Sequence, residues 1–372
     1  MKTSIVAVLG LSVSAVFADP PDGWQLFDGV YSPIREEVTT YPTMNANESV
    51  YVGPGTNVTL SAAQSITNAK QGDTATFVGC TLTSTANLIV KGNDSKIIFD
   101  HAAVSTSGTL EMNNKSSKPS GATEVLFLNG TVAEIYNSVW WQSGTDPTAA
   151  RLVVSNSTFT ATGHRANIAV SAAKIWIGAL CDFAIEIERD GVMKTAGFIG
   201  TGNANSHYLR VRQGGRYEST GGFTWSTVDG VNASVICENG GRLVQSGGAL
   251  IANTGAKLVF DLVSPADEED ATTAIFSKLA GDYAQFNDGF LGEIHVGKKA
   301  VGTYKLMEVV GNPTDAKRGV TGIETFKQNI AVACVGQATC KTRWETVGSG
   351  TATRYELYAT VKRPSGLCIF AR

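Results

Sequence analysis

The stretch "RQGGRYESTGG" at residues 212–222 is nearly repeated as "ENGGRLVQSGG" at residues 238–248. Gly214, Gly215 and Arg216 match Gly240, Gly241 and Arg242, and Gly221 and Gly222 match Gly247 and Gly248, at an offset of 26 residues. An earlier copy, "FAIEIERDGVMKTAG" at 183–197, aligns with "HYLRVRQGGRYESTG" at 207–221 at an offset of 24, which sets Gly191 on Gly215 and Gly197 on Gly221. Upstream the echo is fainter. "EVLFLNGTV" (124–132) aligns with "RLVVSNSTF" (151–159) at an offset of 27, and "KIIFDHAAV" (96–104) aligns with 124–132 at 28. A period in the twenties, built of strand-sized apolar runs between Gly, Asn, Ser and Thr, marks a solenoid of stacked β-coils.

Each unit alternates with period two. Leu209 and Val211 fall on one face, Arg210 and Arg212 on the other, and Ile185 with Ile187 and Val235 with Cys237 repeat the apolar pair. One coil this short cannot bury its apolar face alone; stacking turns each inward position into a column. Glycines fall at the corners, where positive φ or close backbone approach excludes a Cβ. Amphipathic helical periodicity is nearly absent. The predicted fold is therefore an all-β parallel β-helix, three-sided and, by the handedness of parallel crossovers, right-handed. The alignment puts Leu209 over Val235, Val211 over Cys237, Gly215 over Gly241 and Ile185 next to Leu209. It also sets Arg212 between Glu188 and Glu238.

The ends read differently. "MKTSIVAVLGLSVSAVFADP" (1–20) has a lysine, an apolar run and small residues at Val16 and Ala18, the pattern of a signal peptide spanning 1–18 and cut before Asp19. The expected localisation is secreted or cell surface, with no integral membrane segment in the mature chain. Residues 19–55, rich in proline, are expected to form a cap or lead-in. Rungs are expected over 56–263, and a small β-rich C-terminal cap over 264–372. "VSPADEED" (263–270) breaks the repeat, and "EEDATTAIFSKLAGD" (268–282) is the one helix candidate. "GTYKLMEVVG", "NIAVACV", "CKTRWETV" and "RYELYATVKR" then read as antiparallel strands or further irregular rungs.

The phrases "GGRLVQSGGALIANTGAKLVFD" (240–261) and "GTYKLMEV" (302–309) resemble the Gly-rich β-helix repeats of bacterial autotransporter passengers and related surface proteins. The likeness covers roughly residues 56–310. It departs from that family in lacking the run of amphipathic strands that would form a membrane barrel. What the resemblance implies is a secreted or surface solenoid with a role in adhesion, carbohydrate contact or scaffolding, and it does not imply autotransport.

Composition narrows the partners. With 40 glycines, 17% charged residues, 43% apolar residues and a net charge of −3, the chain has the core of a folded protein and no basic stripe for nucleic acid. Of six cysteines, Cys334 and Cys340 flank a short turn and are the predicted disulfide. Cys237 falls at an inward strand position, where a free thiol packs as a small apolar residue, and the pairing of Cys80, Cys181, Cys237 and Cys368 is left open. None has metal-ligand spacing, and no nucleotide or hydrolase fingerprint occurs, so neither cofactor nor metal is expected. Seven N-x-S/T sequons, at Asn47, Asn57, Asn93, Asn114, Asn129, Asn156 and Asn232, read either as glycan acceptors or as ordinary turn chemistry.

Two groups of residues bear on function. Glu186, Glu188, Arg210, Arg212 and Glu238 all point outward if the aliphatics point in. A polysaccharide lyase or glycoside hydrolase of the β-helix type would use such a cluster. The same alignment pairs Glu186 with Arg210, and Arg212 with both Glu188 and Glu238, on strands about 4.8 Å apart. Opposite charges in that register form a structural ladder contributing roughly 0.2–1 kcal/mol per pair. No catalytic residue is therefore assigned, and the expected activity is a non-catalytic scaffold or adhesin with glycans or surface and matrix proteins as partners. Trp140, Trp141 and Tyr136, in "YNSVWWQSG", are the candidate carbohydrate contacts, because an exposed aromatic ring stacks on a sugar face. Of the four histidines, those in Asp100-His101 and His164-Arg165 are expected to diverge from their neighbours, since adjacent residues of a strand face opposite ways.

Overall fold

The computed structural model describes residues 20–45, 48–67, 73–90, 94–112, 122–136, 139–141, 148–161, 174–177, 181–200, 206–225, 232–263, 273–279, 282–297, 299–311, 318–335 and 338–363. Within them the chain visits three sheets in turn. Thr74–Val78, Thr81–Ser84 and Leu88–Val90 make one rung, and Lys96–Asp100, Ala103–Thr106 and Leu110–Met112 make the next. Among the described residues the first and second sheets have thirteen strands each and the third has ten. Pairing between rungs is parallel, as in a β-solenoid.

The quoted repeat lies in the predicted register. Ile185 pairs with Leu209, Leu209 with Val235, and Val211 with Cys237, all fully buried. Both inward columns of the first sheet run the length of the molecule. One reads Val50, Ala75, Ile97, Val125, Leu152, Ile185, Leu209, Val235 and Leu258. The other contains Phe77, Phe99 and Phe127, whose rings stack 5.0 and 5.2 Å apart. Stacked aromatic pairs add about 0.5–1.5 kcal/mol each beyond their area.

The repeated glycines now have a cause. A Cβ on Gly191 would lie 2.3 Å from the Val154 carbonyl oxygen, on Gly215 2.5 Å from that of Ile187, and on Gly241 2.6 Å from that of Val211. Each is the carbonyl of the preceding rung, so the same corner excludes a side chain in three successive coils. The residue before each glycine is left-handed: Asp190 at φ 57°, Gly214 at 74° and Gly240 at 83°. That conformation is cheap for glycine and tolerated by Asp.

Corner length also explains where the upstream alignment slips. Glu124 does pair with Arg151, but Val132 pairs with Thr158, an offset of 26 and not 27. The turn through Asn129 and Gly130 is one residue longer than that at Asn156. Likewise Val104 pairs with Ala133, one residue beyond the expected Val132, which leaves Val132 exposed.

Parallel pairing extends beyond 56–263 on both sides. Val30–Pro33 pairs with Ser49–Val52, and that strand with Thr74–Val78. Downstream, Leu291–Val296 pairs with Ile330–Cys334, so "NIAVACV" supplies a rung strand. Among the described residues antiparallel pairing is confined to the ends: Trp24–Phe27 with Val30–Pro33, and Gly302–Val310 with Arg354–Lys362 and then Thr339–Val347.

The helix expected over 268–282 is corrected within the described residues 273–279; residues 268–272, 280 and 281 lie outside them. Phe276–Lys278 is a fully buried strand, because Phe276 fills a column between Leu243 and Met307. The described α-helix is instead Ile323–Gln328. Its Phe326 stacks on Phe286 at 5.1 Å, lies tilted against Phe290 at 5.0 Å and plugs the C-terminal end of the core.

The predicted Cys334–Cys340 disulfide is also corrected: both thiols are free. Cys334 ends a first-sheet strand beside Val296, and Cys340 lies in the second sheet opposite Val361. The two cysteines thus sit on strands of different sheets that do not pair with each other. Burial, and secondarily the nearby Cys334, push the Cys340 thiol up to about 11. Cys237 is inward and fully buried, its thiol pushed up to about 12 by burial. The expected signal segment, Cys368 and the side chain of Cys181 lie outside the described residues. No described helix is long and apolar enough to cross a membrane.

Candidate functional site

The first sheet turns three columns outward. One contains Lys96, Glu124, Arg151, Ala184 and Tyr208. The central one contains Val153, Glu186, Arg210 and Ile236. The third lies at the strand ends, with Glu188 and Arg212 just beyond Cys181–Ile187 and Ser206–Val211 and Glu238 the last residue of Asn232–Glu238. In this last column Arg212 lies 3.8 Å from Glu188 and 3.8 Å from Glu238.

The centre of the face is Glu186, only 5% exposed. One carboxylate oxygen accepts hydrogen bonds from Arg151 Nη2 and Arg212 Nη2, both at 3.0 Å; the other accepts from the Tyr208 hydroxyl at 2.8 Å. Burial alone would raise its pKa, but hydrogen bonds from Arg151, Tyr208 and Arg212 outweigh it and hold the carboxyl down at about 2, against an ordinary 4.5. The network spreads upstream: Arg151 also bonds Glu124 at 3.2 Å, and Lys96 lies 3.4 Å from the same carboxylate. Tyr208 is raised, by burial first and by its bond to Glu186 second.

All five charged candidates thus fall on one face, and Arg212 stands between Glu188 and Glu238 as expected, but the partner expected for Glu186 differs. Glu186 and Arg210 are backbone neighbours, yet Arg210 turns to Glu238 at 3.9 Å and lies 5.9 Å from the centre of the Tyr208 ring. Glu186 is buried and bonds diagonally, to the rung on either side. Arg151 and Tyr208 were missed. Tyr208 was legible, two residues before Arg210 on the same face. Arg151 was not, because the step from Leu152 to Ile185 is 33 residues and hides the stacking of the two repeat blocks.

The aromatic candidates are divided. Tyr136 is exposed at the corner after the second-sheet strand Val132–Ile135. Trp140 and Trp141 belong to the third-sheet strand Val139–Trp141, their side chains outside the described residues. In register, Trp140 shares the position of half-buried Glu111 and of Trp176, whereas Trp141 shares that of buried Met112 and of Ile177. Two tryptophans therefore occupy successive rungs of one column, a juxtaposition the sequence period did not reveal.

The two histidines whose side chains are described, His101 and His295, each bond a different carboxylate. His101 bonds its neighbour Asp100 at 2.6 Å, contrary to expectation, because its φ of 52° places it at a corner and off the strand. His295 bonds Glu293 at 3.1 Å. His164 and the side chain of His207 lie outside the described residues. Among the described residues no group of three or more His, Cys, Asp or Glu could hold a metal ion.

Comparison with known proteins returned no match: no family profile, no curated sequence and no solved structure aligns with the chain.

Proposed function

We propose that the chain is an exported, non-catalytic β-solenoid that works as a cell-surface or extracellular scaffold or adhesin, with glycans or matrix proteins as its partners. The observation that carries this reading is the closure of the charged network on itself. Glu186 spends both oxygens on Arg151, Arg212 and Tyr208, and the carboxylates around it are paired with the same guanidinium groups. A carboxylic acid that donates a proton near neutral pH needs its pKa raised, and Glu186 is pushed the other way. The neighbouring register positions of Trp140 and Trp176 support a glycan contact on the third sheet, where rungs about 4.8 Å apart offer successive stacking positions along the solenoid axis.

The test pairs a glycan array with lyase and hydrolase assays on a panel of acidic and neutral polysaccharides. The expected result is glycan binding without turnover, weakened at least tenfold in the Trp140→Ala, Trp176→Ala double variant. Turnover of any polysaccharide that is lost in Glu186→Gln would replace this reading with the lyase or hydrolase one.

A further inference from the structure

We infer that copies of this chain associate head to tail, the N-terminal end of one solenoid seating on the C-terminal end of the next. A solenoid has two ends, and each presents sheet edges whose backbone groups can pair with another chain. Here both ends expose the first and second sheets. At the N-terminal end the outermost described strands are Trp24–Phe27 and Glu37–Val38; at the C-terminal end they are Ile330–Cys334 and Thr339–Val347. Among the described residues each has a strand neighbour on one side only.

Both ends carry exposed apolar side chains at these edges. Phe27 is 80% exposed, with Val30 and Ile34 exposed beside it in the chain. At the other end, Val332 is paired in register with buried Ile294 and so continues an inward column, yet it is 40% exposed. Val335 is exposed as well. The strand "IAVAC" bears no charge, proline or bulge of the kind that protects an edge.

Charge selects the occupant. Among the described residues the N-terminal end carries exposed Asp22, Asp28, Glu36 and Glu37 against Arg35, four negative to one positive, or −3. Arg35 is bonded to Asp22 at 2.9 Å, which leaves the other three carboxylates as the surplus. The C-terminal end carries exposed Lys341, Arg343, Lys362 and Arg363 against half-buried Glu345, four positive to one negative, or +3. Glu345 pairs with Arg343 at 3.1 Å, and Glu324 and Lys327 of the plugging helix pair with each other at 2.6 Å, so neither alters the sign. Joining two C-terminal ends, or two N-terminal ends, would bring like charges together. Only head-to-tail stacking brings +3 against −3.

The two ends do not neutralise each other within one molecule. Thirteen strands leave twelve steps of about 4.8 Å, or roughly 58 Å between the ends, against a screening length of about 10 Å at 0.1 M salt. A heterologous contact between opposite ends does not close on itself and generates a linear array. The occupant is therefore a second copy, continuing the first and second sheets across the junction. This needs neither export nor glycan contact, and it stands apart from the scaffold reading even though it would suit one.

The experiment is analytical ultracentrifugation of the purified chain over a range of concentration and salt, with two charge-reversed variants. One carries Asp28→Lys, Glu36→Lys and Glu37→Lys; the other carries Lys341→Glu, Arg343→Glu and Lys362→Glu. Wild type should form linear oligomers at 50 mM salt and dissociate by 1 M, its association weakened at least tenfold. Each variant alone should be monomeric while keeping its β-sheet circular dichroism. Mixed, the two should assemble again, because each then offers the end the other lacks; this restoration separates lost charge from lost folding. A wild type that is monomeric at low salt overturns the inference. So does an assembly that survives either reversal alone, or two folded variants that fail to assemble when mixed.

Discussion

The two faces of the first sheet are made by the same strands and obey different rules. On the inner face, Leu209 and Val211 meet Ile185 and Ile187 on one side and Val235 and Cys237 on the other, each directly above or below its equivalent. On the outer face, Glu186 ignores its direct neighbour Arg210 and reaches diagonally to Arg151 and Arg212. The difference comes from side-chain length and from what each face is asked to satisfy. A short aliphatic group can only touch what lies next to it along the column, so inward order is set by backbone register alone. Arginine spans two positions, and its partner is chosen by hydrogen-bond geometry and burial. The inner face is thus a one-dimensional stack, and the outer face a network.

That contrast is broken most severely from inside. Val211→Asp places a carboxylate in a fully buried apolar column, between Ile187 and Cys237. The expected cost is at least about 3 kcal/mol, enough to lose the cooperative thermal transition measured by circular dichroism. A variant that keeps its transition within a few degrees of wild type would show that Val211 is not a column residue.

The outer network gives the next effect. Glu186→Gln keeps the shape but leaves Arg151 and Arg212 sharing a neutral acceptor. The expected loss is about 2 kcal/mol, read as a lower urea midpoint with an unchanged slope. The same carboxylate sets an acid limb. Its pKa falls from 4.5 unfolded to about 2 folded, so its contribution is complete above about pH 4.5 and is lost as pH drops toward 2. Urea midpoints followed from pH 6 to pH 2.5 should fall less steeply in Glu186→Gln than in wild type. Equal slopes would mean that Glu186 is not the depressed group.

The same contrast explains what could be read in advance. Register from 183 to 248 was legible because period-two alternation and the corner glycines point to one alignment, and the glycines are forced by carbonyls of the preceding rung. Register at Val104 and Val132 was off by one because one corner holds an extra residue at Gly130, and a repeat read as a single period cannot carry a corner that varies. Arg151 was hidden behind a 33-residue step. The strand at Phe276 reads as helix in the sequence, and the short helix at Ile323 gives no sequence signal, because packing decides both: Phe276 fills a gap in a column and Phe326 closes an end, whatever their local propensity. Cys334 and Cys340 are close in sequence but belong to different sheets, a distinction that only the three-sided path supplies.

The finest test compares two arginines in one phrase. Arg210 and Arg212 are two residues apart on the same face, with side chains 32% and 37% exposed. As isolated surface charges they would be equivalent, each contributing under about 1 kcal/mol. The structure separates them by partner. Arg212 donates at 3.0 Å to the buried oxygen of Glu186 and stands between Glu188 and Glu238 at 3.8 Å each. Arg210 has Glu238 at 3.9 Å and the Tyr208 ring beneath it at 5.9 Å. A hydrogen bond to a buried charge contributes about 1.5 kcal/mol or more, whereas a loose exposed pair with a distant ring contributes about 0.5 kcal/mol. Arg212→Ala should therefore cost about 1 kcal/mol more than Arg210→Ala in matched urea titrations. In a Glu186→Gln background the gap should shrink to less than half, because the partner that distinguishes the two is gone. If the two arginines cost the same in wild type, the outer face is a simple ladder after all, and Glu186 does not organise it.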